Sequence, residues 1–573
     1  METSSASLLS VMTSSLEKCF VDGNIADYPR VRKLSGFQNE RLCFTLALSE
    51  SSAAFGARRV LRYRLRSSLK KFVSVSRIES VPCRMPVYPG LFEKDGNYLR
   101  KEPGLYPDVL VPAHEGEIIS VPVGQICSLW IDVNAGLDTM PAGEHPIEII
   151  LLSDNGEQIK TEKITLRIIP ALLPESDMAV TQWFHCDSLA AYYNVRPFSE
   201  KHWRIIRNYI KTAVKNGINT ILTPVFTPPL DTEPGGERMT VQLVGVKCSS
   251  DPAEGGAEYE FDFSLLGRWI DMCLDCGVEY FEISHFFTQW GALHAPKIVA
   301  GFTSGGKTVS KRIFGWDTDA HGDEYGRFLR AFLSALIPYL KSRGVDKKCV
   351  YHISDEPSAN DLDNYIKSKA QLGGLLDGYT IIDALSNYTF YESGAVKTPV
   401  PANDHIKPFI EGGVKNLWTY YCCGQNYRVS NRFIDMPSAR NRIIGTQFYK
   451  YDIAGFLQWG YNFYFTHLSR RPVNPFQVTD GDFWVPSGDA FSVYPASDGT
   501  TLESVRLAVF QNALQDMRAM KLLGTFVGKD KVIGLIEEGL ASPIEFDSYP
   551  HGAEYILSMR ETLNAEIEKH LNK

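Results

Sequence analysis

Basic residues are in short supply. The 573-residue chain has 59 lysines and arginines against 67 aspartates and glutamates, a formal net charge of −8. A protein that grips duplex nucleic acid needs a positive face to neutralise phosphates, so this balance argues against one. Long apolar runs are missing too: nowhere do about 18 apolar residues follow one another without a charge, as a membrane-crossing helix requires. Met1 to Phe20 has no basic start, no unbroken apolar run and no small-residue cleavage site, so no export signal is expected. The 11 cysteines, an odd number scattered from Cys19 to Cys423, suit a reducing compartment better than a disulfide framework. A cytoplasmic location is therefore expected. No His-Glu-x-x-His spacing occurs, and no second pair accompanies Cys273 and Cys276, so no metal and no cofactor is expected. Internal repeats and low-complexity segments are also lacking.

Aromatic residues are plentiful: 27 Tyr, 31 Phe and 9 Trp make up 12% of the chain. Flat rings serve both a large core and the stacking of sugar faces. The length itself calls for two or three domains.

From about residue 35 to 170 the sequence reads as short alternating strands, among them Val60 to Leu65 and Leu129 to Val133. The clearest hairpin runs from Pro146 to Leu152, turns at Asn155-Gly156 and returns through Ile164 to Ile169, because Asn-Gly supplies the positive φ angles of a tight turn. A linker follows at Ala171 to Ser176, where Leu173-Pro174 ends regular structure. Beyond Met178, apolar runs ending in polar or aromatic residues alternate with amphipathic helices, the pattern of a parallel α/β fold.

Strand candidates are Val180 to His185, Thr220 to Phe226, Tyr280 to Ser284, Cys349 to Ile353, Thr380 to Asp383 and Asn416 to Tyr421. Ile443 to Gln447 with Gly455 to Trp459, and a run near Phe491 to Tyr494, complete them. These units fit an eight-stranded barrel of ~250 residues or more; an open doubly wound sheet fits the same alternation. The expected architecture is multidomain α/β: an N-terminal β-sandwich (residues 1–172), a TIM-like (β/α)8 barrel (177–525) and a helical C-terminal tail (526–573).

Several motifs have ordinary readings. Gly301 to Thr308 matches a phosphate-binding loop, but Val309, Ile313 and the stop at Gly315 read as the second arm of a hairpin, not the long helix such a loop must open. Cys273 and Cys276 end a helix, whereas a redox pair sits at a helix start, where the dipole lowers the thiol pKa. Cys422-Cys423 read as small buried fillers. Asn387-Tyr388-Thr389 is a glycosylation sequon without meaning in the cytoplasm.

Asp355-Glu356-Pro357 stands out by position, since the C-terminal ends of barrel strands hold catalytic groups. Asp355 capping the next turn, with Glu356 merely solvated, is the ordinary alternative. Other strand ends carry residue types suited to sugars: His185 and Asp187, His285 with Gln289 and Trp290, Asn387, Trp418 and Tyr420, and Trp459 with Asn462. All are candidate substrate-binding residues.

Tyr351-His-Ile-Ser-Asp-Glu-Pro357 resembles the Asp-Glu segment of glycoside hydrolase family 123. Phe281-Glu-Ile-Ser-His285, Gln289-Trp-Gly291, Phe314-Gly-Trp-Asp317 and Leu417-Trp-Thr-Tyr-Tyr-Cys422 are similar to segments of that family, over about residues 125 to 525. The resemblance implies a β-sandwich and a (β/α)8 barrel, and a retaining exo-β-N-acetylgalactosaminidase activity on an oligosaccharide or glycoconjugate. It also implies substrate-assisted catalysis, an exception to the usual two-carboxylate scheme. Glu356 would be the general acid, then base, while Asp355 would accept the acetamido N–H. Two carboxylates roughly 5 Å apart repel by about 3 kcal/mol at an effective dielectric of about 20, which favours one protonated and one ionised group. Tyr420 is the candidate to orient the acetamido carbonyl. The absent export signal departs from the family's secreted members and sets a polymeric or host-glycan substrate in question. Two competing readings remain: a glycosidase whose separate nucleophile is Glu282 or Glu392, and a non-catalytic carbohydrate-binding barrel.

Overall fold

The computed structural model describes residues 7–52, 56–90, 93–250, 255–289, 291–304 and 307–572. Up to Ile169 the chain forms two five-stranded sheets. One runs in the order Leu8–Ser14, Leu42–Glu50, Ile126–Val133, Val73–Cys83, Gly104–Pro112. The other runs Lys33–Phe37, Gln158–Ile169, Gly143–Ser153, Arg58–Arg66, Ile119–Pro122. Alternation gives each strand one apolar face: along Arg58–Arg66, Leu61, Tyr63 and Leu65 are buried while Arg58, Arg64 and Arg66 are exposed. Phe44 and Leu46 of the first sheet share a core with Leu61, Ile149 and Leu166 of the second. The hairpin expected at Asn155-Gly156 is present, with Gly156 at φ +87°. The first strand, Leu8–Ser14, begins well before residue 35, where the alternating pattern first becomes clear.

Eight parallel strands follow in chain order: β1 (Ala179–Gln182), β2 (Thr220–Thr223), β3 (Tyr280–Ile283), β4 (Cys349–Tyr351), β5 (Thr380–Ala384), β6 (Thr398–Val400), β7 (Trp418–Tyr420) and β8 (Gly455–Gln458). Each pairs with its neighbour in sequence, β8 returns to β1, and a parallel bridge between Ala402 and Tyr420 draws β6 towards β7. The result is a nearly closed barrel. Its strands are buried on both faces, which is why they read as continuous apolar runs. Gly455 is needed on β8 because a Cβ there would overlap the Trp418 indole on β7.

Helices cover the barrel. Glu200–Lys215 starts at Ser199, whose hydroxyl accepts the His202 N–H, worth about 1 kcal/mol, and buries Trp203, Ile206 and Ile210 on one face. Two expected strands are otherwise. Of residues 443–447, all but the first belong to a helix, Ile444–Lys450, buried nearly all round; a helix with no wet face shows no 3.6-residue period, so its apolar run mimics a strand. Val493–Pro495 pairs with Thr501–Glu503 in a separate hairpin. The sixth barrel strand, only three residues long, had no sequence signal of its own. At 301–308 the expected hairpin is present: Ile298–Ser304 pairs antiparallel with Lys307–Phe314.

Buried ion pairs join the parts. Arg506, on the helix Val505–Val527, lies 2.9 Å from Asp108 of the N-terminal sheets. Arg560, on the C-terminal helix Ala553–Leu571, reaches Glu40 at 2.7 Å and Asp516 at 2.9 Å. Among the described residues, no helix is long and apolar enough to cross a membrane.

Candidate active site

The chain leaves β4 through buried His352, Ile353 and Ser354 and emerges at Asp355 and Glu356. Glu356 has a left-handed backbone, φ +43°, which costs a non-glycine residue about 1–3 kcal/mol. Its N–H donates to the Ala384 carbonyl at the end of β5, 2.9 Å away, and this fixes the turn. From across the barrel mouth the Tyr420 hydroxyl donates to Glu356 Oε1 at 2.7 Å. No hydrogen bond among the described residues reaches the Asp355 carboxyl. A cleft of about 360 Å³ opens here, lined by Glu356, Ser386, Asn387, His405 and Tyr420 among others. A larger cavity of about 810 Å³ lies between the N-terminal sheets and the C-terminal helix. There Glu40 and Arg560 are already paired with each other, so the smaller cleft, lined by Glu356 next to Asp355, is the better place for chemistry.

Electrostatics at the cleft favour protonated carboxyls. Burial, then the charges of Glu356 and Asp231, push the Asp355 carboxyl well above the usual range, against a smaller downward pull from His352. Burial also raises Glu356, partly offset by the Tyr420 hydrogen bond. Repulsion between neighbouring carboxylates means that the pair keeps a proton more readily than either group alone.

A second network lies inside the barrel. Glu282 on β3 accepts hydrogen bonds from Thr181, from Trp183 Nε1 at 2.7 Å and from His352 Nε2 at 2.6 Å. His352 Nδ1 lies 3.3 Å from Asp383, which also accepts from Tyr365. Burial alone would lower the His352 pKa, but hydrogen bonds to Asp383 and Glu282, and their charges, lift it to about 9. His285 stacks on His352 with ring centroids 4.0 Å apart, and among the described residues neither of its nitrogens has a hydrogen-bond partner. Burial and the adjacent His352 cation keep its pKa well below the ordinary histidine value. His285, His352 and Asp383 bring ligand-type atoms within 4.8 Å of one another; a metal would have to replace the His352 proton.

The other candidates divide by position. Asn387 lines the cleft, its side-chain oxygen accepting the Thr389 N–H at 3.0 Å. Gln289 is buried at the end of β3 and its Oε1 accepts the Asp231 N–H at 2.7 Å. Trp290 lies outside the described residues. His185, Asp187, Trp459 and Asn462 are buried at the ends of β1 and β8 and engage the frame: His185 Nε2 bonds the Trp459 carbonyl at 2.9 Å, Asn462 bonds the His185 backbone, and Trp459 donates to Asp489 at 2.9 Å. Asp187 grips Arg238 with both oxygens, at 2.8 and 2.9 Å. Trp418 lies two residues before Tyr420 on β7, buried against β8.

The sequence reading overlooked Asp231, in the loop after β2. Burial and the Glu356 charge raise its carboxyl to about 6, against a downward pull from Arg238. Its only signal was an acidic residue shortly after the Pro228-Pro229 break at a strand end.

A nearly closed parallel barrel with adjacent carboxyl groups at a strand end is an arrangement suited to glycoside hydrolysis. The family model for the glycoside hydrolase 123 catalytic domain matches residues 183–523. The chain belongs to glycoside hydrolase family 123. Among solved structures it is similar to a family 123 glycoside hydrolase from Clostridium perfringens, with a TM-score of 0.69 and 15% identity over 99% of this chain and 98% of that one. At that identity the likeness concerns the fold. A β-glucuronidase from Parabacteroides merdae is far less similar, with a TM-score of 0.31 and 11% identity over 88% of this chain and 51% of that one. Among curated protein sequences, none matches this chain at a significant level.

Proposed function

We propose that this chain removes terminal β-linked N-acetylhexosamine, N-acetylgalactosamine foremost, with retention of configuration and with the sugar's own acetamido oxygen as nucleophile. The observation that carries the reading is the pair itself: Asp355 and Glu356 stand side by side at the end of β4, one unpartnered and the other held by Tyr420. The acidic groups weighed as separate nucleophiles are poorly placed. Glu282 is fully buried and accepts three hydrogen bonds, and Glu392 is exposed on the helix Thr389–Glu392.

In the proposed reaction Glu356 gives its proton to the glycosidic oxygen while the acetamido oxygen bonds to C1, forming an oxazolinium ion as the aglycone leaves. Asp355 accepts the acetamido N–H and, as a carboxylate, stabilises the developing positive charge. Burial raises both carboxyls, and the Glu356 charge adds to the rise at Asp355, so the pair shares a proton. The acetamido N–H stabilises the Asp355 anion, so substrate binding moves the shared proton to Glu356, where the reaction needs it. Tyr420 then turns its hydroxyl from Glu356 to the acetamido carbonyl. Water, deprotonated by Glu356, opens the oxazolinium ion from the same face.

In this reading residues 1–172 form a β-sandwich, 177–525 a TIM-like (β/α)8 catalytic barrel and 526–573 a helical extension. The substrate is a small oligosaccharide or glycoconjugate; the Clostridium perfringens relative is described in connection with glycolipid glycan hydrolysis. The odd number of scattered cysteines, 11, agrees with a cytoplasmic location. The test is a thiazoline analogue of the oxazolinium ion, which should bind more tightly than the product sugar. A proton NMR time course should show the β-anomer released first. Release of the α-anomer, or a 2-fluoro sugar trapped as an ester on a carboxyl group, would overturn the reading.

A further inference from the structure

Asp231 and Glu356 share an unusual trait: each is a non-glycine residue on left-handed backbone, φ +50° and +43°, and each presents a carboxyl group to the same region. The charge of Asp231 raises Asp355, and that of Glu356 raises Asp231. The Asp231 backbone is clamped on both sides, its N–H donating to Gln289 Oε1 at 2.7 Å and its carbonyl accepting from Ser469 Oγ at 2.7 Å. The preceding Leu230 carbonyl accepts from Arg238 at 2.9 Å. Three separate elements thus hold a strained residue in place.

The side chain those clamps present is unpartnered: among the described residues no hydrogen bond or ion pair reaches the Asp231 carboxyl. The nearby cation is committed elsewhere, since Arg238 gives Nε and Nη2 to Asp187 and Nη1 to Leu230. Beside this free acceptor is a free donor. Gln289 must turn Oε1 towards the Asp231 N–H, which fixes its amide, and among the described residues its Nε2 has no partner although the residue is only 4% exposed. Leaving a buried amide N–H unsatisfied is costly, so a ligand atom that satisfies it stabilises the bound state. A sugar hydroxyl both donates and accepts, and it complements an adjacent carboxylate and amide N–H in one contact.

We infer that Asp231 and Gln289 form the hydroxyl-reading clamp of the sugar subsite, binding the C4 hydroxyl and so setting the preference between galacto and gluco configurations. The placement follows from strand order. The loops after β2 and β3 lie across the barrel mouth from β7, whose Tyr420 marks the acetamido side, so they face the far edge of a ring whose C1 sits at Glu356. This rests on the proposed reaction for the orientation of the ring. Asp231 takes no part in bond breaking; it discriminates.

The experiment compares wild type, Asp231→Asn and Asp231→Ala on aryl N-acetylgalactosaminide, its gluco epimer and its 4-deoxy analogue, with thermal melting to show that the variants fold. Removing a hydroxyl that a built polar site expects costs far more than removing a methylene. Wild type should therefore lose about 10²-fold or more in kcat/KM on the 4-deoxy sugar. Asp231→Ala should lose a similar factor on the parent sugar and little more on the 4-deoxy one, and its epimer ratio should fall towards one. An equal loss on parent and 4-deoxy sugars, with the epimer ratio unchanged, would overturn the inference. Failure of the proposed reaction reads differently. If wild type cleaves 2-hydroxy glycosides as fast, the same deoxy comparison is run on those. If it turns over nothing, calorimetric binding of N-acetylgalactosamine and its 4-deoxy form replaces the rates, and failure of both sugars to bind overturns the clamp.

Discussion

At the ends of β1 and β8, His185, Asp187, Trp459 and Asn462 engage one another, Asp489 and Arg238, and all are buried. After β2 and β4, no hydrogen bond among the described residues reaches the Asp231 and Asp355 carboxyls, and Glu356 and Asp231 hold strained backbones. The residue types on the two walls look equally suited to sugar. Polar groups whose partners are protein atoms maintain shape, whereas a polar group left partly solvated and unpaired on a rigid, strained turn is kept for something else. Burial raises carboxyls on both walls, Asp489 on the first to about 7 and Asp231 on the second to about 6; the difference is that Asp489 accepts from Trp459 and Gln458, whereas no hydrogen bond among the described residues reaches the Asp231 and Asp355 carboxyls.

Substitutions on the two walls should separate activity from stability. The largest effect is expected for Glu356→Gln, which should lower turnover by about 10²–10⁴ on a substrate with a poor leaving group and by much less on a good one, with little change in melting temperature. Asp355→Asn should cost about 10²–10³ in kcat with a modest change in KM, read from initial rates across substrate concentration. On the first wall, Asp187→Ala strands the buried Arg238 charge and should cost about 3–5 kcal/mol of stability in a denaturant titration. A full loss of activity with stability unchanged would instead assign Asp187 to substrate.

A smaller effect has a definite sign. The folded state raises the Asp355 pKa above its unfolded value, so wild type loses stability as pH rises from the ordinary carboxylate range to the raised value. Asp355→Asn escapes that penalty. It should melt higher than wild type near neutrality, and the gain should vanish on acidification, where both folded and unfolded wild-type chains hold the proton. A melting series across pH checks it. No effect at all is expected from chelation, assayed after dialysis against a chelator; loss of activity restored by a divalent ion would point to His285, His352 and Asp383.

Much of this was legible in the sequence because one-sided and two-sided burial leave different patterns. Alternation marked Val60 to Leu65, within the half-exposed strand Arg58–Arg66, and the apolar run before Asp355 marked β4. What escaped was short or fully enclosed. Thr398–Val400 offers three residues, and the buried helix Ile444–Lys450 has no polar face to set its period. Carboxyl positions were readable where a strand ran straight into them, as at Asp355. They were not readable at Asp231, which seven loop residues, Pro228-Pro229 among them, separate from the last residue of its strand, Thr223. Nor can a sequence tell which polar residues find hydrogen-bond partners: His185 and His285 look alike on paper, yet the ring of one is hydrogen-bonded and, among the described residues, that of the other is not.

The central claim is that the substrate supplies its own nucleophile, with Asp355 and Glu356 as its only carboxyl partners in the bond-breaking step. A matched pair of aryl β-galactosides, one bearing a 2-acetamido group and the other a 2-hydroxyl, tests it most directly. The 2-acetamido compound should be turned over while the 2-hydroxy compound is essentially inert, and Asp355→Asn should remove most of that difference. Comparable rates on both compounds, unaffected by Asp355→Asn, would contradict it.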